Sequence, residues 1–187
     1  MVVNDKTLVR EMKEAYKGWG YGVMVTSDDR WMFSSKDNWT VVIDGQNNVP
    51  NEVLALIVLH MGELPDSLQS YRVYKGDKGP CIQKEVYKVE LENLETLEKS
   101  RPLVDVEVRR TQLTYGRRRV WQQIEDKQVL LMDPRYEGLM EIGAESKVCT
   151  VGQQIYLEGE ISCVYISRAT SSASEAMLQH LAQIKWV

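Results

Sequence analysis

Short strand-like runs alternate with helical runs along this chain, and the alternation occurs twice in the same order. The first pass opens at about Asp5 to Lys17, with Asn4 or Asp5 as N-cap and Gly18 as the stop. At about 100° per residue, Leu8, Val9, Met12, Ala15 and Tyr16 gather on one side of this helix, and Lys6, Arg10, Lys13 and Lys17 form a stripe on the other. Strands are expected at about Tyr21 to Thr26, Arg30 to Ser35 and Trp39 to Ile43. The turn clusters Ser27-Asp28-Asp29 and Lys36-Asp37-Asn38 separate them, which predicts an antiparallel meander. A helix follows Pro50. Val53 to Leu59 is apolar on every face until Gly62, so this helix is expected to be buried. A hairpin around Gly76-Asp77-Lys78-Gly79 then joins Ser70–Lys75 to about Pro80–Val86.

The second pass starts with a helix near Glu90 to Lys99, carrying Leu91, Leu94 and Leu97 at helical spacing. Val104, Val106 and Val108 alternate with charged residues, and separate strands are expected at about Gln112 to Tyr115, Arg118 to Ile124 and Gln128 to Met132. Asp133-Pro134 is a good start for a helix reaching Ile142. Strands at about Lys147 to Val151, Gln153 to Leu157 and Glu160 to Arg168 complete the unit. A last helix opens at Ser171 to Ser174, with Ser172 and Glu175 spaced as a capping box and Met177, Leu178, Leu181 and Ile184 on one face. The expected fold class is therefore α+β, with two similar lobes of helix, three strands, helix and further strands. They span 1–86 and 87–170, and a C-terminal helix lies within 171–187.

Composition narrows the function classes. With 43% hydrophobic and 27% charged residues, 187 residues can bury one sizeable core or two small ones that share an interface. A formal charge of −4 excludes indiscriminate coating of nucleic acid but leaves room for a local basic patch. The longest apolar run is far short of the roughly 20 residues that cross a bilayer, and Met1 to Lys6 does not resemble a signal peptide. A cytoplasmic protein without a membrane partner is expected. Cys81, Cys149 and Cys163 have neither disulfide-framework nor zinc-site spacing and read as small core hydrophobes. Five Trp and nine Tyr against one Phe favour half-exposed surfaces that bind a partner.

Three stretches carry a resemblance. Arg30 to Asp44, with Ser35-Lys36-Asp37 at its turn, resembles the strand, turn and strand of a DNA sliding-clamp domain. Leu113 to Gln122, LTYGRRRVWQ, resembles the equivalent stretch of a second clamp domain, and Val129 to Ala169 resembles a clamp's last half-domain. The resemblance covers about residues 5 to 169 and implies a clamp-like scaffold that engages DNA or DNA-handling proteins. It departs from the clamp pattern in its shorter units and in Tyr115-Gly116, which lacks the turn aspartate. The helices near Glu90 and Asp133 are acidic and the one at Pro50 is apolar, whereas clamps carry basic residues on all the equivalent helices. The added C-terminal helix could cover an edge that a ring needs for closure.

Two basic constellations are candidate binding sites. The stripe Lys6, Arg10, Lys13 and Lys17 could hold a phosphate backbone by charge; the alternative is a solvated face with Glu14 pairing Arg10 and Lys17. Arg109, Arg110, Arg117, Arg118 and Arg119, with Tyr115 and Trp121, could fork to phosphate while the aromatics stack; the alternative is a hairpin tip kept soluble by charge. Gly18-Trp19-Gly20-Tyr21-Gly22 lacks the Lys-Ser/Thr ending of a phosphate loop and reads as a tight helix-to-strand joint. The aspartates Asp28, Asp29, Asp37 and Asp44 occupy turn positions that need no metal. Neither His60 nor His180 has a ligand partner at metal spacing, and no GxSxG, HExxH or P-loop pattern occurs.

No catalytic residue, metal or cofactor is therefore expected. The leading expectation is a non-enzymatic binding protein on a clamp-like scaffold, with DNA or a protein as partner. Three two-lobed chains would build a six-lobed ring. The alternatives are a small mobile-element inhibitor, anti-CRISPR-like, that blocks a nucleic-acid enzyme by protein contact, and a metal-dependent nuclease using the turn aspartates.

Overall fold

Helix α1 (Asp5–Lys17) begins where Asn4 accepts a 2.9 Å hydrogen bond from the Thr7 amide. Asp5 in its first turn and Lys17 in its last complement the helix dipole. The computed structural model describes residues 1–36, 38–84, 106–125, 128–143, 146–151 and 154–167. The expected helices near Glu90 to Lys99 and within 171–187 lie outside those residues.

After α1 come β1 (Tyr21–Val25), β2 (Arg30–Ser35), β3 (Trp39–Asp44), a 3-10 turn (Gln46–Asn48), α2 (Asn51–Met61), β4 (Ser70–Gly76) and β5 (Gly79–Lys84). Then follow β6 (Val106–Tyr115), β7 (Arg118–Gln123), β8 (Val129–Met132), the single turn α3 (Pro134–Glu137), β9 (Val148–Val151), β10 (Gln154–Glu158) and β11 (Ser162–Ser167). The described residues thus form an α+β fold. Its eleven strands make one sheet in the order β5-β4-β1-β2-β3-β11-β10-β9-β6-β7-β8, with every pairing antiparallel.

Alternation along the strands creates two faces. Trp31 and Phe33, Val41 and Ile43, Ile155 and Leu157, and Val164 and Ile166 share one core with Leu8 and Met12 of α1, Val53, Leu56 and Ile57 of α2, and Leu139 and Met140 beyond α3. Their in-between neighbours Met32, Val42, Tyr156, Cys163 and Tyr165 form a second cluster on the other face. Burial on both faces explains why the central strands read as near-continuous apolar runs.

The chain's start is tied to its second half. Val3 bridges Met140, the Asn4 amide donates to Leu139 O at 2.9 Å, and the Glu141 amide donates to Val2 O at 2.8 Å. This explains one departure from expectation: α3 stops at Glu137 instead of reaching Ile142, because Met140 leaves the helical path to pair with Val3.

Two further expectations are corrected. The separate strands expected around Val106 and Gln112 are one strand, β6, with a bulge between Arg110 and Thr114. At the bulge the Thr111 hydroxyl donates to Val120 O at 2.6 Å and accepts from the Leu113 amide at 3.2 Å, replacing ladder bonds that the extra residues displace. Helix α2 is not fully buried, since its outer face leaves Val58 42% and Leu59 74% exposed.

Candidate nucleic-acid interface

The α1 stripe faces solvent. Lys6, Arg10, Lys13 and Lys17 are all exposed, because Leu8, Glu11 and Met12 turn the opposite side of the helix to the core. Their partners differ. Lys17 Nζ meets Glu14 Oε1 at 2.6 Å, and this hydrogen bond and charge hold the Glu14 carboxyl below its ordinary range. Arg10 does not make the pair with Glu14 that the solvated-face alternative had. It bonds the buried Glu11 at 2.9 Å and reaches Arg135 O at 3.3 Å. Among the described residues no carboxylate pairs with Lys6 or Lys13.

Through Arg10 the stripe touches α3, which adds a cation that sequence reasoning missed. Arg135 is 67% exposed at its side chain and holds Asp133 Oδ2 at 2.7 Å. Burial pushes the Asp133 carboxyl up, but the hydrogen bonds and charge of Arg135 outweigh it and hold the carboxyl below its usual value. The missed signal is Asp-Pro-Arg itself, because an N-cap Asp with Arg two residues on forms this fork locally.

The arginine cluster of the β6–β7 hairpin is divided by the sheet. Arg110 stands opposite Trp121 and Arg119 lies two residues from it, so both project on the helix side. There they converge on Glu137, at 2.7 and 3.6 Å, beside an open hollow of about 520 Å³ lined by Arg110, Thr111, Gln112 and Arg119. Arg109 stands opposite Gln122 and Tyr115 opposite Arg118, so these project on the far face, and Arg117 is exposed in the turn. Tyr115 is half-buried against Val120, Val129 and Leu131.

Trp121 requires a correction. It is 1% exposed and belongs to the main core with Leu130 and Met132, because β7 is an inner strand covered on this face by the helix layer. Its ring is not available for stacking on a ligand. Among the described residues the exposed indole is Trp19, 69% accessible, with Lys36 Nζ 4.5 Å from the ring centroid. A large aromatic between two glycines after a helix stop was the available signal.

The turn aspartates support the backbone. Asp28 binds Thr26 and Arg30, while Asp29 accepts from Trp31 Nε1 and the Gln46 amide, each at 3.1 Å. Asp37 lies outside the described residues. A second hollow of about 260 Å³ includes Arg30, Asp44, Glu158 and Glu160 in its lining. Among the described residues no group of three His, Cys, Asp or Glu side chains converges to hold a metal. His60 stacks on Tyr16 with ring centroids 3.8 Å apart, and its Nδ1 lies 3.1 Å from Tyr21 Oη. The cysteines are free, with Cys149 and Cys163 buried. No described helix is long and apolar enough to cross a membrane.

No family model matches the chain, and no curated protein matches it. Solved DNA polymerase III beta chains are similar to it in fold. The beta chain from Streptococcus pneumoniae aligns with TM-score 0.37 and 10% identity over 95% of this chain and 67% of that one. A beta subunit from Eubacterium rectale aligns with TM-score 0.41 and 9% identity over 98% and 67%. The C. crescentus beta sliding clamp aligns with TM-score 0.36 and 13% identity over 94% and 66%. The chain thus spans about two thirds of each beta chain's length.

Proposed function

We propose that this chain is a non-enzymatic binding protein whose helix layer engages the backbone of DNA, with α1 as the main contact. The observation that carries the reading is the exposed row Lys6, Arg10, Lys13 and Lys17, in which Lys6 and Lys13 have no described carboxylate partner. At 1.5 Å per residue the row is roughly 17 Å long, the axial length of about five base pairs. Arg135 and Arg110, both more than half exposed, stand on the same layer, each paired with a carboxylate. Such contacts position a protein on DNA without reading sequence.

The architecture we assign is two similar lobes, 1–86 and 87–170. In support, β4 returns after α2 to pair with β1, the first strand of its meander, and β9 returns after α3 to pair with β6, the first strand of the other. Strand orders β3-β2-β1-β4-β5 and β8-β7-β6-β9-β10-β11 then meet edge to edge through β3 and β11. If two-lobed chains close a ring, the mass in solution is that of three chains.

The test is charge reversal at Lys6, Lys13 and Lys17, leaving Arg10 in place because it neutralises the buried Glu11. Retention of duplex DNA should fall more than tenfold at low salt, and the slope of log K against log salt should shrink by about 3, one for each lost phosphate contact. Unchanged retention removes the reading.

A second reading is a protein partner, such as a nucleic-acid enzyme that the chain inhibits by contact. It is supported by Val58 and Leu59 on the outer face of α2 and by Ile82, 44% exposed on the bordering strand β5. Co-purification that survives nuclease treatment and is lost in Leu59→Asp would favour it.

A further inference from the structure

Trp19 leaves its indole 69% exposed on a backbone that is held in place. The guanidinium of Arg72 donates to Trp19 O from Nε at 2.6 Å and also from Nη2. Gly20 follows in the left-handed region, at φ +94°, with its backbone so close to β4 that an added Cβ would sit 2.7 Å from Val73 O. The Gly20 amide donates to Ala15 O at 2.8 Å. Lys36, at φ +45° in the turn after β2, places its ammonium 4.5 Å from the Trp19 ring centroid, and Arg72 stands 5.7 Å from the ring of the half-buried Tyr74. Two aromatic rings and two cations thus converge where α1 joins β1, just past Lys17.

The geometry points to Trp19, Lys36, Arg72 and Tyr74 as a stacking site for an unpaired nucleotide of single-stranded nucleic acid. The chemistry selects this occupant. The indole is 69% exposed with the Lys36 ammonium over its ring; its uncovered surface accepts any base, and Lys36 and Arg72 take the adjoining phosphates. The two cations favour, over an apolar peptide anchor, an anionic chain whose bases can stack. Duplex DNA hides its base faces and would use only the cations. The site stands apart from the α1 reading, because its ligand is single-stranded and its reporter is Trp19 itself.

The experiment uses the full chain with fluorescein-labelled oligothymidylate of about 15 nucleotides, read by anisotropy, and with unlabelled oligothymidylate, read by tryptophan emission. Wild-type protein should bind with saturable quenching. Trp19→Ala should abolish most of the quenching and weaken binding roughly tenfold with an unchanged thermal melt, since the ring packs in no core. Trp19→Tyr should recover most of the affinity, whereas Trp19→Leu should not, which separates stacking from a merely apolar contact. Lys36→Gln should weaken binding and lower its salt dependence. The inference is overturned if Trp19→Ala or Trp19→Leu binds oligothymidylate as wild type does. It is equally overturned if polyglutamate quenches Trp19 and displaces the oligonucleotide at equal charge, which would mark a site for acidic peptides. Loss of duplex retention on reversing Lys6, Lys13 and Lys17 leaves these results unaffected, so the two proposals fail separately.

Discussion

Glu137 Oε1 lies 2.7 Å from Arg110 Nε, with Arg119 at 3.6 Å from the other carboxylate oxygen, so a side chain that is 8% exposed ties α3 to the β6–β7 hairpin. Two arginines that look like binding residues in the sequence are therefore partly neutralised from within. Replacing Glu137 by Gln should cost about 2 kcal/mol, measured by urea unfolding, because Arg119 is only 23% exposed and loses its counter-charge. The same variant should retain DNA more strongly than wild type, with a steeper salt dependence, as Arg110 is released. Unaltered stability would mean that solvent already screens the pair.

Gly20 and Gly62 have nearly equal backbone angles, φ +94° and +89°, in different surroundings. Gly62→Ala should cost about 1 kcal/mol of left-handed strain, as nothing lies within 4 Å of the added carbon. Gly20→Ala should cost clearly more, about 3 kcal/mol, because the carbon meets the Val73 carbonyl and Tyr74 Cβ. Equal losses in thermal or chemical unfolding would show that β4 yields to the methyl group.

Trp121→Ala should destabilise the fold by about 3 to 5 kcal/mol, the cost of emptying a large core site. Trp121→Phe should cost much less, since Nε1 has no hydrogen-bond partner to lose. Refolded Trp121→Phe should bind DNA like wild type. A binding defect at full stability would return the residue to the interface.

Burial, and then the charge of Lys13, push the His60 imidazole below its ordinary value of 6.5. The unfolded chain thus takes up this proton more readily than the folded one. The His60 contribution to stability is complete above pH 6.5 and is lost as pH falls toward the lowered folded value. The melting temperature of wild type should drop on acidification through this window, and His60→Phe, which can keep the stack on Tyr16, should flatten the drop. Parallel pH profiles for the two proteins would assign the effect elsewhere.

Much of the fold was legible because its signals are local. The spacing of Leu8, Met12 and Tyr16 with Asn4 and Gly18 at the ends defines α1, and the turn clusters around Asp28 and Lys36 punctuate β1 to β3. The exposure of the α1 cations follows from the same periodicity, since a helix that buries Leu8 and Met12 must turn Lys6, Lys13 and Lys17 outward. The errors arose where distant segments meet. Met140 is drawn from a helix by pairing with Val3, and two strands merge into β6 because Thr111 supplies hydrogen bonds across a bulge.

The sequence by itself determined α1, the β1 to β3 meander and the side of α1 that meets solvent, because helix and strand periods act over a few residues. Only the tertiary structure decided which basic residues work together. Strand pairing sends Arg110 and Arg119 to one face and Arg109 and Arg118 to the other, buries Trp121, and brings Lys36, Arg72 and Tyr74 to Trp19 from two other segments. Register and strand order set these meetings, and they arise from long-range packing that no local period encodes.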